Sequence, residues 1–95
     1  MVEQGRTVHA WRVLYSGRVQ GVGFRNFVKK RQSFTETQGF VRNLENGKVE
    51  LVIEGEPDQI EQLLSDIAGH FESQIERVQK ESIPTGKQVS FQTRR

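Results

Sequence analysis

Apolar and polar residues alternate along residues 8–15, near the N-terminal end of the chain. Trp11, Val13 and Tyr15 fall on one face of this segment. A repeat of two residues is typical of a half-buried β-strand, because successive side chains point to opposite faces. Three glycines within residues 17–23 then predict a loop after the strand.

Helical spacing replaces the alternation after this loop. Apolar residues recur three and four positions apart, which predicts an amphipathic helix that begins near residues 23–24. We expect the Lys-Lys-Arg run at residues 29–31 on the solvated face of this helix. The apolar residues near its other face are Phe24, Phe27, Val28 and Phe34.

Two strands joined by a tight turn are predicted in the middle of the chain. Residues 39–44 have the pattern of a short strand. The Asn46-Gly47 pair after it is typical of a hairpin with a type I′ turn, which needs positive φ at both positions. The apolar face of the returning strand consists of Val49, Leu51 and Ile53.

A second helix and a last strand complete the predicted elements. The helix opens within residues 55–58, where Pro57 suits the first turn, and Gly69 is a candidate for its C-terminal end. We expect the strand to start around Ile75 and to continue into residues 89–91. The apolar stripe of the helix consists of Ile60, Leu63, Leu64 and Ile67.

The predicted order is strand, helix, strand, strand, helix, strand. An antiparallel sheet with both helices on one face satisfies this order, so we predict an α+β fold, a ferredoxin-like βαββαβ sandwich. With 95 residues the chain has the size of one domain. We therefore expect a single domain over residues 1–95, in which residues 1–7 form a loose polar lead-in.

Composition narrows the classes of function. The chain has no cysteine, which excludes disulfides and thiolate metal sites, and His9 and His70 lie on separate elements. The sequence has no stretch near the roughly 20 apolar residues that cross a bilayer. Residues 1–6 also lack the apolar core of a signal peptide. We therefore expect a cytoplasmic protein, monomeric by default. Its net charge of +2 suits an anionic ligand and is too small to indicate nucleic acid by itself. The alternative is an ordinary solvated basic surface.

Gly21 and Gly23 stand where the first strand passes into the first helix. Glycines there can turn successive backbone N–H groups inward as an anion-binding nest, to which the helix N-terminus adds its own unpaired N–H groups. Arg25 opposes the helix dipole unless an anion is bound, and its guanidinium is suited to clamping a phosphate. The alternative is an ordinary turn with Arg25 in solvent. The loop lacks the Gly-Lys-Ser/Thr ending of nucleotide-binding loops.

Asn43 is the second polar residue that suggests chemistry. It comes just after a strand that can pair close to the loop. The alternative is a local role in the following turn, since Asn favours turns.

Two segments of the chain carry a family resemblance. Residues 17–25, Gly-Arg-Val-Gln-Gly-Val-Gly-Phe-Arg, closely resemble the signature loop of the acylphosphatase family. Residues 39–43, Gly-Phe-Val-Arg-Asn, resemble the second signature of that family, which usually has Trp where Phe40 stands. The interval between Arg25 and Asn43 matches the family's spacing, and the resemblance extends over residues 8–94.

The resemblance implies hydrolysis of the carboxyl–phosphate anhydride of acyl phosphates, without metal or cofactor. Inorganic phosphate or sulfate would then be a product-like ligand. By motif match, Asn43 would orient the attacking water through its side-chain amide. The Arg25 guanidinium would bind the phosphoryl group together with the backbone amides of Gln20, Gly21, Val22, Gly23, Phe24 and Arg25.

Residues 32–37 depart from the family pattern, which has a small residue and a Leu-Gly-Leu-type helix ending there. Thr35 and Thr37 replace apolar core residues, and no glycine is available for a left-handed helix cap. We expect a frayed or re-routed helix end and reduced stability, with Phe34 supplying the missing bulk.

Two other functions fit part of the pattern. A non-catalytic anion-binding or regulatory domain would keep the loop, although Asn43 is not needed merely to bind phosphate. An RNA-recognition module shares the order of elements. Residues 39–41 echo its Gly-Phe-Val core, but they lie on the second predicted strand, whereas the RNA motif belongs on the third.

Overall fold

The computed structural model describes residues 8–86, which form four strands and two helices. In chain order the elements are β1 (His9–Gly17), α1 (Phe24–Gln32), β2 (Thr37–Asn43), β3 (Val49–Gly55), α2 (Pro57–His70) and β4 (Ile75–Ser82). The strands pair antiparallel in the order β2-β3-β1-β4. This order confirms the predicted ferredoxin-like α+β fold.

Both helices pack against one face of the sheet, where the apolar core lies. Val13 on β1 and Leu51 on β3 are completely buried against Val28 of α1 and Leu63 of α2. The apolar faces predicted for both strands and for α2 are confirmed. The buried members of the core are Val13, Tyr15, Val19, Phe24, Val28, Val41, Val49, Leu51, Ile53, Ile60, Leu63, Ile67 and Phe71.

The opposite, open face of the sheet carries a cluster of charged residues, here called the Arg–Glu cluster (Arg12, Arg42, Glu50 and Glu81). The Glu50 side chain is 5% exposed and accepts hydrogen bonds from the Nε atoms of Arg12 and Arg42, both at 2.5 Å. Arg12 also pairs with Glu81 at 3.5 Å. Burial raises the pKa of Glu50, but the two guanidinium groups outweigh burial and hold it below its ordinary value of 4.5. The buried carboxylate is therefore charged and paired.

The turn between β2 and β3 is not the predicted type I′ turn. Within residues 8–86 only glycines have positive φ, so Asn46 does not adopt the left-handed conformation that a type I′ turn requires. Instead, Gly47 takes φ +90° and its N–H donates to the Leu44 carbonyl at 3.2 Å. A left-handed glycine after an ordinary turn is typical of longer hairpin loops. The Asn46 side-chain oxygen accepts a hydrogen bond from the Lys48 N–H at 3.0 Å.

The C-terminal end of α1 is re-routed by a tightened turn. After Gln32, the amides of Phe34 and Thr35 donate to carbonyls three residues back, at 2.9 and 3.1 Å, which is 3₁₀ geometry. Thr37 is buried, and its hydroxyl shares a 2.7 Å hydrogen bond with that of Thr35. Phe34 is 70% exposed, so the prediction that it supplies core bulk is wrong. The two threonine hydroxyls satisfy each other's hydrogen bonding, which allows polar residues to stand where the family pattern has apolar ones.

Two other boundaries differ from those predicted. The α2 helix continues through His70, so Gly69 lies inside the helix and does not end it. The Phe71 N–H still donates to the Ile67 carbonyl at 3.0 Å, and the burial of Phe71 favours this continuation. The β4 strand ends at Ser82, while the predicted continuation into residues 89–91 and the lead-in lie outside the described residues. Neither described helix is long and apolar enough to cross a membrane.

Candidate active site

The loop between β1 and α1 contains two left-handed glycines. Gly21 has φ +78°, and Gly23 has φ +84° with ψ +14°. A Cβ at either position would meet no other atom within 4 Å, so conformation rather than space explains the glycines. Other residues enter this region of φ at a cost of roughly 1–2 kcal/mol. Left-handed residues within a turn are typical of backbone nests that bind anions.

From Gln20 onward, the backbone amides of this loop lack partners among the described residues. Gly23 is the N-cap of α1, and no side chain caps the helix. The Phe27 N–H is the first helical donor to find an acceptor, the Gly23 carbonyl at 3.0 Å. Across residues 8–86, the amides of residues 20–26 donate to no protein acceptor. Those of residues 23–26 form the positive, open end of the helix dipole, and those of residues 20–22 precede it in the loop.

Phe24 anchors this helix N-terminus in the core. Its ring is 2% exposed and lies 4.9 Å from the Tyr15 ring and 4.7 Å from the Phe71 ring, measured between centroids. Burial raises the pKa of the Tyr15 phenol far above its ordinary value of 10, so this ring stays neutral. Because adjacent helical residues do not share a face, Arg25 is directed outward and is exposed.

Arg25 and Asn43 line the same cleft, which has a volume of about 290 Å³. Among the described residues, Arg25 has no carboxylate partner and the half-buried Asn43 carboxamide has no hydrogen-bond partner. The cleft lining contains no Asp, Glu or His, and nowhere in residues 8–86 do three such side chains gather as metal ligands. Unpaired amides, a guanidinium and a carboxamide can together bind an oxyanion and a water molecule.

Gln20 connects the loop to the hairpin that follows Asn43. Its side-chain Nε2 donates to the Leu44 carbonyl at 2.8 Å and to the Lys48 carbonyl at 3.0 Å. The preceding residue, Val19, is completely buried in the core. The loop is therefore held both from below, by packing, and from the side that carries Asn43.

The structure brings together most of the site residues predicted from the sequence. Those that line the cleft are Gly21, Gly23, Phe24, Arg25 and Asn43. Gln20 is half-buried against the hairpin and does not line the cleft, and the Val22 side chain is 41% exposed outside it. The backbone amides of both remain candidate donors. Val19 and Asn26 line the cleft without having been predicted.

The chain is similar to a known protein family over most of its length. Residues 11–93 match the family model described as Acylphosphatase. The chain belongs to the acylphosphatase family. The resemblance noted in the two signature segments is thereby confirmed over nearly the whole chain.

Known acylphosphatases are similar to this chain along most of their length. The acylphosphatase of Chloroflexus aurantiacus is 42% identical over 81 residues, which are 83% of this chain and 88% of that protein. A solved acylphosphatase from Coxiella burnetii has a TM-score of 0.79 and 32% identity, over 97% of this chain and all of that one. HypF from T. kodakarensis matches 82% of this chain with 34% identity and a TM-score of 0.72, but over 10% of its own length. The chain is therefore an acylphosphatase, a hydrolase.

Besides Val19 and Asn26, sequence reasoning missed the side chain of Gln20 in this acylphosphatase site. The signature segment indicated only the backbone amide of Gln20. Its side-chain contacts reach residues 24 and 28 positions further along the chain, so no local pattern reports them. Asn26 was within reach of prediction, because it follows Arg25 in the first helical turn, where backbone amides are unpaired.

Proposed function

We propose that this cleft hydrolyses the carboxyl–phosphate anhydride of acyl phosphates. The amides of residues 20–25 and the Arg25 guanidinium bind the phosphoryl group, and Asn43 orients the attacking water. One observation carries the proposal: unpaired loop amides, an unpaired guanidinium and an unpaired carboxamide line one cleft of an acylphosphatase.

Binding of the phosphoryl group uses donors that are already in place. The transition state of phosphoryl transfer spreads negative charge over three oxygens, and catalysis depends mainly on positioning and on stabilising that charge. The curled amides need no reorganisation to do so, and removing one donor from an oxyanion hole typically lowers kcat by about 100- to 1,000-fold. Arg25 lies in the first turn of α1, where a bound anion removes its conflict with the helix dipole.

In this proposal, the Asn43 carboxamide positions the attacking water. A carboxamide has both donor and acceptor atoms, so it can hold water with an oxygen lone pair directed at phosphorus. The water oxygen bonds to phosphorus as the bond from phosphorus to the carboxylate oxygen breaks. One water proton passes to a phosphate oxygen, which yields a carboxylate and inorganic phosphate. Because a carboxylate leaves readily without protonation, the chemistry fits a cleft without Asp, Glu or His side chains.

Hydrolysis of benzoyl phosphate tests this proposal. We expect the wild-type protein to release inorganic phosphate, and Arg25→Gln and Asn43→Ala to lose most of that activity. Arg12→Gln is a matched control, because it removes an arginine from the opposite face of the sheet. A wild-type protein that binds phosphate but hydrolyses no acyl phosphate would instead favour the non-catalytic anion-binding domain.

The RNA-recognition alternative finds little support on the open face of the sheet. In the segment that echoes the RNA motif, Gly39 and Val41 are buried, and Phe40 is the one residue of the three on that face. Among the described strand residues, no other aromatic side chain lies beside it on the open face. RNA-recognition sheets need several stacking aromatics.

We infer further that the protein acts as a monomer in the cytoplasm, with inorganic phosphate or sulfate as product-like ligands. The monomer is the default expectation for a chain of 95 residues, which has the size of one domain. Sedimentation equilibrium of the wild-type protein measures this directly, and a stable dimer would contradict it. The cytoplasmic location stays a prediction from the sequence.

A further inference from the structure

We propose that Gln20 is a positioning residue for the hydrolysis. Its side chain holds the phosphate-binding loop and Asn43 at a fixed separation, so that the water lies in line with the phosphoryl group. This inference rests on the proposed function, since it assigns the loop and Asn43 their roles in that reaction.

Both N–H groups of the Gln20 carboxamide donate hydrogen bonds. Nε2 has two hydrogens, and one goes to each of the Leu44 and Lys48 carbonyls, at 2.8 and 3.0 Å. Each carbonyl also accepts a backbone bond within the hairpin: Leu44 from the Gly47 N–H and Lys48 from the Leu44 N–H. Both carbonyls therefore have two donors, the number that an oxygen with two lone pairs accommodates.

The sheet itself does not fix the loop against the hairpin. The last pair between β1 and β3 is Tyr15 with Val49, after which the chain leaves the β3 side of the sheet. The Arg18 N–H donates to the Gln74 carbonyl at 2.9 Å, which ties the start of the loop to the opposite side, near β4. Among the described residues, the hydrogen bonds from residues 18–23 to the hairpin come from Gln20 alone.

The separation between loop and hairpin matters because no hydrogen bond from another described residue fixes the Asn43 side chain. Its carboxamide has no hydrogen-bond partner among the described residues, so its place depends on the backbone at the end of β2. Leu44, which follows directly, is one of the two residues that Gln20 holds. A displacement of about 1 Å between reacting groups can reduce a rate about 100-fold.

The chemistry of the side chain selects glutamine. Both acceptors are carbonyl oxygens, so the side chain needs two N–H donors on one planar nitrogen, at the distance from the backbone that a glutamine Nε2 has. Glutamate and methionine have the length but no such donors, and asparagine has the donors but is one methylene shorter. Gln20→Met therefore removes both bonds with little change in volume.

The test compares Gln20→Met with Gln79→Met, an exposed glutamine on β4 away from the cleft, in the benzoyl phosphate assay. We expect Gln20→Met to lower kcat by about 10- to 100-fold and to leave the inhibition constant of inorganic phosphate nearly unchanged, because the loop amides and Arg25 remain. Gln79→Met should match the wild type. A phosphate affinity that falls in step with kcat would overturn the inference, because the damage would then lie in the loop itself.

A double-variant cycle separates action through Asn43 from independent damage. In the Asn43→Ala background, Gln20→Met should have little further effect, because residues that act together are not additive. Additive losses, or an unchanged kcat for Gln20→Met, would overturn the inference while leaving the proposed function intact. An inactive wild type would overturn both. If Gln20→Met does not fold, Gln20→Asn keeps the carboxamide, shortens its reach and should show the same loss of kcat.

Discussion

The open face of the sheet and the cleft between β1 and α1 use arginine in opposite ways. On the open face, Arg12 and Arg42 both donate to the buried carboxylate of Glu50. In the cleft, Arg25 has no carboxylate partner among the described residues and lies where the helix dipole repels it. The charges of the first group are balanced within the fold, whereas the charge of Arg25 is left for a ligand. Pairing, rather than residue type, thus distinguishes a structural arginine from one proposed to bind a ligand.

The same contrast separates two consecutive residues of β2. Arg42 and Asn43 point to opposite faces, because side chains alternate along a strand. Arg42 joins the Arg–Glu cluster, and Asn43 lines the cleft. A single strand therefore connects the structural face with the functional one.

Arg25→Gln should produce the largest effect. We expect kcat/KM for benzoyl phosphate to fall by at least about 100- to 1,000-fold, because the clamp on the phosphoryl oxygens is lost. Stability should not fall and should rise by up to about 1 kcal/mol, since a cation leaves the first helical turn. Activity assays and urea unfolding measure the two effects. Arg12→Gln should show the reverse pattern, with activity kept and stability slightly lower, and equal effects on activity would remove the distinction.

Asn43→Ala comes next. We expect kcat to fall about 100-fold through loss of water positioning, with the affinity for inorganic phosphate retained. Stability should change little, because the carboxamide has no hydrogen-bond partner within residues 8–86. Steady-state kinetics with phosphate as inhibitor provide the measurement. A matching loss of phosphate affinity would mean that Asn43 belongs to the phosphate cradle instead.

Glu50→Gln should alter stability and spare the chemistry. The change leaves two guanidinium groups without their shared carboxylate, so we expect a loss of about 1–3 kcal/mol in the free energy of unfolding. The kcat should stay near the wild-type value at temperatures where the variant is folded. Urea unfolding and kinetics on the same sample test both statements. A large fall in kcat in a folded variant would show that the two faces are coupled.

The smallest effect concerns pH. The pKa of Glu50 is lower in the folded protein than its ordinary value of 4.5, because the guanidinium groups outweigh burial. Its contribution to stability is therefore present above pH 4.5 and is lost as the pH falls through the folded pKa. The difference in unfolding free energy between the wild type and Glu50→Gln should shrink across that range, as measured by urea unfolding at several pH values. A difference that grows at acid pH would contradict the assignment.

Sequence patterns were sufficient for the parts of the molecule that local rules govern. Alternation and helical spacing predicted the order of elements, and the loop glycines beside Arg25 predicted residues that line one cleft. The predictions that failed concern positions where a side-chain hydrogen bond or tertiary packing overrides the local sequence pattern. The Asn46 side chain bonds to the Lys48 amide and leaves the left-handed position to Gly47. Burial of Phe71 favours the continuation of α2 past Gly69. The tightened turn after α1 leaves Phe34 exposed.

In the proposed mechanism, the curled loop and Arg25 form a cradle for a tetrahedral oxyanion. Titration of the ¹⁵N-labelled protein with inorganic phosphate, followed by amide chemical shifts, tests it most directly. We predict saturable shifts centred on the amides of residues 20–26, which Arg25→Gln weakens strongly and Arg12→Gln leaves in place. Saturation without shifts in that loop, or equal weakening by both variants, would contradict the account.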